Sequence, residues 1–387
     1  MLAALAMLGP FAVDTYLPAF PNIAATLDTS LVQVQQTLSI YMLSFAVMIL
    51  WHGALSDSLG RRNLILGSLA VFAIASLGCA AAHSIEYLWA FRVLQGISAG
   101  AGVVIGRAIA RDLYTGAEAA RLLSLVTMIF SVAPALAPIM GGFIVEWFNW
   151  RAIFLFLFAY TSLLLWLCWR RLPETLPPEK RRPFNARELF ASYKAVLGSP
   201  VFLLKAGVIA VNFSGLFLYI AAAPVFITRH LGLGPSQFGW LFVPSVLGIF
   251  SGAFTANRLA GKIAVSRQVK IGFACLLGAT VFNTLYHAFL PPALPWSVAP
   301  LFLYSFGMSV VAPAVTLLVL DLFPKIRGTV ASCQSFLQTL LGAVVAGAIA
   351  PLLADEVWLL ACGQLVFVLA GIGFWYSGVR VHRRRTA

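Results

Sequence analysis

Residues 37–57 read TLSIYMLSFAVMILWHGALSD, an apolar run closed by a polar turn. A bilayer core of about 30 Å takes about 20 apolar residues wound as a helix, and this run has that length. Moving outward from it, the same rhythm fills the chain. Comparable runs occupy 2–25, 63–82, 87–111, 118–145 and 150–170, and then 200–227, 237–258, 268–290, 297–321, 327–353 and 357–379. The runs are continuously apolar and do not alternate with a period of two, which predicts helices and not a barrel. Hydrophobic residues make up 61% of 387 and charged residues only 10%. A soluble protein of that composition would have too little polar surface to wet. The predicted fold class is an all-α polytopic membrane protein of twelve spans.

A formal net charge of +13 would suggest nucleic acid in a soluble protein. Its distribution argues for topology instead, with no nucleic-acid partner. Alternate loops hold nearly all the cations: Arg61 and Arg62, then Arg111 and Arg121, then Arg170, Arg171, Lys180, Arg181, Arg182, Arg187 and Lys194. The second half adds Arg258, Lys262, Arg267, Lys270, Lys325, Arg327 and a tail with Arg380, Arg383, Arg384 and Arg385. The opposite loops hold Arg151 and Arg229 beside Asp28, Glu86, Glu146, Asp355 and Glu356. The positive-inside bias then predicts that both termini and the central loop are cytoplasmic. The chain begins almost inside its first span, without a basic n-region or a cleavage site, so that segment reads as a span and not a removable signal.

The stretch Arg170–Pro200, RRLPETLPPEKRRPFNARELFASYKAVLGSP, breaks the apolar rhythm. Six runs precede it and six follow. The predicted organisation is a six-helix bundle over 1–170, a linker over 171–199 and a second bundle over 200–379. A basic tail, 380–387, follows. The linker's amphipathic stretch, 186–197, suits a membrane surface. Equal halves suggest duplication and two pseudo-symmetric bundles around a central cavity. No G-x-x-x-x-G-K-[S/T] phosphate loop is present, so active transport would have to draw on an ion gradient. Cys79, Cys168, Cys275, Cys333 and Cys362 fall in apolar runs without paired spacing, which argues against metal, cofactor and disulfides.

The first basic hairpin reads Gly53-Ala54-Leu55-Ser56-Asp57-Ser58-Leu59-Gly60-Arg61-Arg62. It resembles the signature loop G-x-L-x-D-x-x-G-R-R of the major facilitator superfamily, between the same two spans. Arg92-Val93-Leu94-Gln95-Gly96 resembles that family's R-x-x-Q-G motif. The fifth run carries Ala133, Pro134 and then Ala137-Pro138-Ile139-Met140-Gly141-Gly142, similar to the antiporter motif G-x-x-x-G-P-x-x-G-G with alanine at two glycine positions. Pro173-Glu174-Thr175 also matches the family. Asp14-Thr15-Tyr16-Leu17-Pro18-Ala19-Phe20-Pro21 is similar to the Bcr/CflA branch of drug/proton antiporters. The second half departs from the pattern: Asn257-Arg258-Leu259-Ala260-Gly261-Lys262 keeps positive charge but lacks the acid.

The residues themselves set the chemistry. Gly60 permits a tight turn. Asp57 and Asp112 end two spans on the basic side, where Arg61 or Arg62 can pair with them, and the resemblance implies a conformational latch there that includes Gly53. Only Asp14 and Arg92 read as deeply placed charges, which are expensive and face a cavity or a partner. Asp14 is the predicted proton carrier, because a proton and a cationic substrate compete for one carboxylate. Arg92 retains its proton and either holds a positive potential near Asp14 or an anionic substrate group, or binds backbone carbonyls. Lys205 reads as snorkelling at the start of span 7. The small residues Ala133, Ala137, Gly141 and Gly142, with bends at Pro134 and Pro138, permit close helix packing. An apolar, aromatic chamber with few polar anchors is expected to draw on Tyr16, Tyr41, Phe45, Gln95, Phe130, Asn212, Tyr219, Tyr304, Gln334 and Gln338.

Three classes of function compete at this point. The first-span run and the fifth-span motif favour a monomeric proton-coupled exporter of small amphipathic compounds. A proton symporter or facilitator importing a nutrient would share the fold. An intramembrane enzyme would need clustered acids or histidines, which the runs do not contain.

Overall fold

A computed structural model describes residues 1–181 and 183–386, with backbone alone at 117, 120 and 382–386. Arg182 and the side chains of Arg383, Arg384 and Arg385 lie outside the described residues. Among the described residues, twelve helices are long and apolar enough to cross a membrane. Spans 1 to 6 run Leu2–Thr26, Leu31–Leu59, Arg61–Ala80, Ile85–Leu113, Arg121–Trp147 and Trp150–Arg171. Spans 7 to 12 run Pro200–His230, Pro235–Leu259, Val265–Phe289, Ala299–Leu320, Pro324–Leu353 and Val357–Val381. No strand occurs among the described residues.

Span 2 starts six residues before the apolar run that predicts it. Its first turn is held by a capping box: Ser30 Oγ accepts from Gln33 N–H, and Gln33 Oε1 accepts from Ser30 N–H, each at 3.2 Å. Span 1 is broken. An α-helix over Leu2–Asp14 gives way to a 3-10 turn over Leu17–Ala19, and helix resumes over Phe20–Thr26. Pro18 explains the break, because it offers no N–H and its ring crowds the preceding turn. The break leaves Asp14 as the last residue of its half-helix.

The chain divides into two compact units, Met1–Leu189 and Phe190–Ala387. Inside the first unit, span 1 packs on spans 4, 5 and 6, span 2 on span 4, and span 3 on spans 4 and 6. Inside the second, the same pairs recur six spans later: 7 with 10, 11 and 12, 8 with 10, and 9 with 10 and 12. One packing scheme is used twice. The side chains that face away from these pairs are apolar, among them Ile74, Trp166, Leu247, Phe254 and Val366. A surface of that kind suits lipid. The linker carries a helix over Ala186–Leu197, with Phe190 exposed and Val196 buried.

Candidate functional site

Three places in the first unit and one in the second bring the predicted residues together. The first is the break in span 1. Asp14 is buried there, and among the described residues it makes no ion pair. Arg92, on span 4, is wholly buried and does not pair with it. Instead Arg92 Nη1 donates to the Ala12 carbonyl at 3.0 Å and to Gln95 Oε1 at 2.9 Å. The guanidinium also lies over two rings, 4.8 Å from the centroid of Tyr16 and 4.4 Å from that of Tyr41. Stacked cations of this kind gain from the negative ring faces.

Gln95 passes the chain of bonds on, donating to Ser76 Oγ at 2.9 Å. Tyr16 bonds Thr37 Oγ1 at 2.6 Å, and because the Thr37 hydroxyl donates to the Val34 carbonyl, Tyr16 is the donor. Phe45 stacks on Tyr41 with centroids 6.2 Å apart. Thr15 Oγ1, the Tyr41 hydroxyl and Arg92 Nη2 are buried without a hydrogen-bond partner among the described residues. The side chains near the break thus hold unused hydrogen-bonding capacity, which buried polar groups rarely keep.

Span 5 closes on this break. A Cβ on Gly141 would collide with the Thr15 carbonyl, one residue after Asp14. Ala133 and Ala137 are fully buried on the same helix. The small-residue seam therefore packs against the hinge that carries the carboxyl.

The second place is the turn between spans 2 and 3. Gly60 has φ +95°, a conformation in which a side chain is strained, and a Cβ there would also meet the Glu174 carboxylate. Arg61 is the organiser. Its Nη1 donates to Ser56 Oγ and Asp57 Oδ1, and its Nε donates to Asp112 Oδ2 at 3.2 Å. Arg62 does not join the acids; its Nη2 donates to the Trp169 carbonyl at 2.8 Å. Glu174 accepts the first backbone N–H groups of span 3, from Arg61 at 3.0 Å and Arg62 at 3.3 Å. A carboxylate at a helix N-terminus meets both orphan donors and the positive end of the dipole. Thr175 donates to Asp112 Oδ2 at 3.0 Å, and Arg181 pairs with Glu174 at 3.7 Å.

Sequence reasoning assigned no role to Glu174 or Thr175, although the Pro-Glu-Thr motif was the signal that could have found them. Gly53 stands on span 2 beside Val104 of span 4, and its carbonyl accepts from Ser56 Oγ at 2.8 Å, which joins its backbone to the Arg61 network. The matching hairpin of the second unit keeps a left-handed glycine, Gly261 with φ +74°. It carries no such network among the described residues: Asp321, at the end of span 10, pairs with Arg327 at 2.7 Å on an exposed surface.

In the second unit, Asn212 and Gln338 line a cavity of about 90 Å³ with Phe213, Met308 and Ser309. Asn212 is buried with both amide atoms unpartnered among the described residues, while its backbone carbonyl accepts from the Tyr304 hydroxyl at 2.8 Å. Tyr219 lies apart from that cavity, accepting from Asn283 Nδ2 at 2.7 Å. Asn283 also donates to Gln364, whose Nε2 donates to the Gly215 carbonyl. Polar residues in mid-span were the signal for Asn283 and Gln364, and the sequence reading passed over both. Gln334 donates to Thr316 at 3.1 Å.

Two expectations about charge are corrected. Lys205 is buried and not at a surface, its Cγ packing near Gly378. Asp14 and Arg92 are also not alone inside the spans. Arg107, one turn inside the basic end of span 4, lines the third place, a cavity of about 140 Å³ that includes Phe130. Phe130 thus stands with Arg107 and away from the Asp14 cluster. The five cysteines are free.

A family profile described as the Major Facilitator Superfamily matches residues 2–347. The chain is 33% identical to a bicyclomycin resistance protein homologue of Haemophilus influenzae, over 70% of this chain and 69% of that protein. It is 29% identical to multidrug resistance protein D of Escherichia coli, over 89% of this chain and 86% of that one. Among solved structures it is similar to a bacterial homologue of the human lysosomal transporter Spinster, crystallised inward-facing and unoccupied. That match has a TM-score of 0.68 and 18% identity and covers 98% and 95% of the two chains. The last likeness speaks to fold alone.

Proposed function

We propose that this chain, which belongs to the Major Facilitator Superfamily of transporters, exports small amphipathic compounds in exchange for protons. Its relatives' names, a bicyclomycin resistance homologue and a multidrug resistance protein, support drug efflux as the class of activity. One observation carries the coupling: Asp14 is a buried carboxyl at a helix break, unpaired among the described residues. A charge held inside a span is expensive unless it is neutralised. A proton neutralises Asp14 by binding it, and a cationic substrate does so by pairing with it. The two exclude each other, so loading cargo releases the proton and reprotonation releases cargo.

Arg92 orients the break in this reading by holding the Ala12 carbonyl, two residues before Asp14. The span 5 seam, seated on Thr15, couples the state of Asp14 to helix packing. The Arg61 cluster acts as a latch that forms and breaks as access alternates. Contacts to cargo come from rings and amides, Phe45 in the first unit and Asn212, Gln334 and Gln338 in the second. Tyr41 braces Phe45 and Tyr304 braces Asn212, while Tyr16, Gln95 and Tyr219 belong to the polar clusters described above. Both termini and the linker are cytoplasmic, the membrane is the bacterial inner membrane, and the transporter works as a monomer.

Everted vesicles test the reading. Wild type should accumulate a cationic drug only with an inward-acid gradient, and Asp14→Asn should abolish gradient-driven uptake at near-normal expression. Proton-coupled transport by Asp14→Asn at the wild-type rate would reject it.

A further inference from the structure

Arg107 has no role in the exchange scheme. It sits four residues before Arg111 on span 4, about 6 Å deeper along the axis at 1.5 Å per residue. Among the described residues its guanidinium makes no hydrogen bond and no ion pair. Asp112, the acid at the same end of the helix, is already engaged by Arg61 and Thr175. The nearby charge on its own helix is Arg111, of like sign. Its side chain is exposed, so this cation inside a span is both without a counter-charge and open to a ligand, which marks a place where an anion is welcome.

The space beside it suits an anion on an apolar body. The cavity of about 140 Å³ is lined by Ala6, Gly102, Gly106, Arg107, Thr127 and Phe130, all within the first unit. Gly102 lets spans 1 and 4 touch, since a Cβ there would collide with the Leu5 carbonyl. Gly106 instead leaves room: a Cβ there would meet only Leu2 Cδ2, at 3.9 Å. The Thr127 hydroxyl already donates to the Leu123 carbonyl at 2.8 Å, so Arg107 is the donor that remains. A guanidinium fork matches a carboxylate or phosphate with two parallel hydrogen bonds, and the Phe130 ring offers an apolar wall.

We propose that this cavity binds the anionic end of an amphipathic molecule, a carboxylate or phosphate on an apolar body, with Arg107 as its charged donor. The site is separate from the exchange centre. Ala6 and Asp14 are eight residues apart on span 1, about 12 Å along the helix. The occupant is either a free amphiphile or an anionic lipid headgroup, which share this chemistry. The inference goes beyond the exporter reading and is tested by equilibrium binding with no gradient, so either can fail alone.

The test uses purified protein in phosphatidylcholine nanodiscs, titrated calorimetrically with 4-propylbenzoate and with its neutral amide. Wild type should bind the benzoate, and Arg107→Gln should weaken it about tenfold or more without changing the amide. Gly106→Leu, which fills the space while keeping the guanidinium, should weaken the benzoate by a similar factor and decides the matter if Arg107→Gln misfolds. Repeating the titration in phosphatidylglycerol nanodiscs separates the sources. A drop in wild-type affinity that Arg107→Gln does not share assigns the site to lipid headgroups, and an unchanged affinity assigns it to free amphiphiles. No benzoate binding by wild type in phosphatidylcholine, or equal binding by wild type and the folded variants, overturns the proposal.

Discussion

Arg92 separates what a buried charge does from what its shape does. Its guanidinium reaches the Ala12 carbonyl and Gln95 at once while lying over Tyr16 and Tyr41. Lysine would keep the charge but lose the planar fork and much of the stacking. Arg92→Lys should therefore cost about 1.5–3 kcal/mol, the usual worth of hydrogen bonds to a charged group, read from unfolding in detergent. A lysine variant as stable as wild type would mean that charge alone matters there. Gly141 makes the complementary case. Alanine at that position meets the Thr15 carbonyl, and overpacking of that kind costs about 1–3 kcal/mol. Gly141→Ala should lower both thermal stability and transport. Gly53→Ala, whose Cβ would meet Val104 Cγ1 at an ordinary 4.0 Å, should change neither. Equal behaviour of the two alanines would remove the seam from the mechanism. Asp14 and Arg92 were legible in the sequence because an ionisable residue inside an apolar run is conspicuous. Arg107 was not, because it lies one turn from a cluster of cations that reads as a loop.

At the level of elements, the turn between spans 2 and 3 is organised from 113 residues away. Glu174 caps span 3 by accepting from Arg61 N–H and Arg62 N–H, and it accepts from Leu176 N–H at 3.0 Å as well. Glutamine in its place would turn an amide NH₂ toward backbone donors and leave one of them unpaired. Glu174→Gln should thus cut transport several-fold with surface expression near normal, and Asp57→Asn should do the same through Arg61. Glu179→Gln, exposed on the same linker, is the control and should transport normally. Wild-type drug efflux in both Glu174→Gln and Asp57→Asn would dispose of the latch. The hairpin itself could be read from residue types, since a glycine, an acid and two arginines at fixed offsets have few other uses. The part played by Glu174 could not, because spacing along a chain does not say which helix ends meet. The break at Pro18 was visible as a proline, whereas the early start of span 2 was hidden by its glutamines and appears only once the Ser30 cap is seen.

Across the whole molecule, apolarity and charge answer different questions. Twelve apolar runs determine how many times the chain crosses, and the repeated pairing of spans in each unit follows from two copies of one packing scheme. The cations decide which way it faces. The linker and the hairpins after spans 2, 8 and 10 hold most of the Lys and Arg, while the opposite ends carry exposed aromatics such as Trp147, Phe148, Phe289 and Trp296. Aromatic rings favour both interfaces, so they anchor depth without setting direction; the positive charges set direction. The five native cysteines are free, and all lie within spans, so a cysteine-free background followed by single cysteines reports topology cleanly. Asn185→Cys in the linker and Lys262→Cys after span 8 should react with a membrane-impermeant thiol reagent only in everted vesicles. Phe148→Cys and Pro291→Cys should react only from outside intact spheroplasts. Labelling of positions 185 and 262 from outside would invert the assigned topology. Such an inversion would put the Arg61 latch on the wrong face for an exporter that closes its cytoplasmic side before opening outward. Mixed labelling at one position would instead point to two populations, and then the cations would have failed to decide.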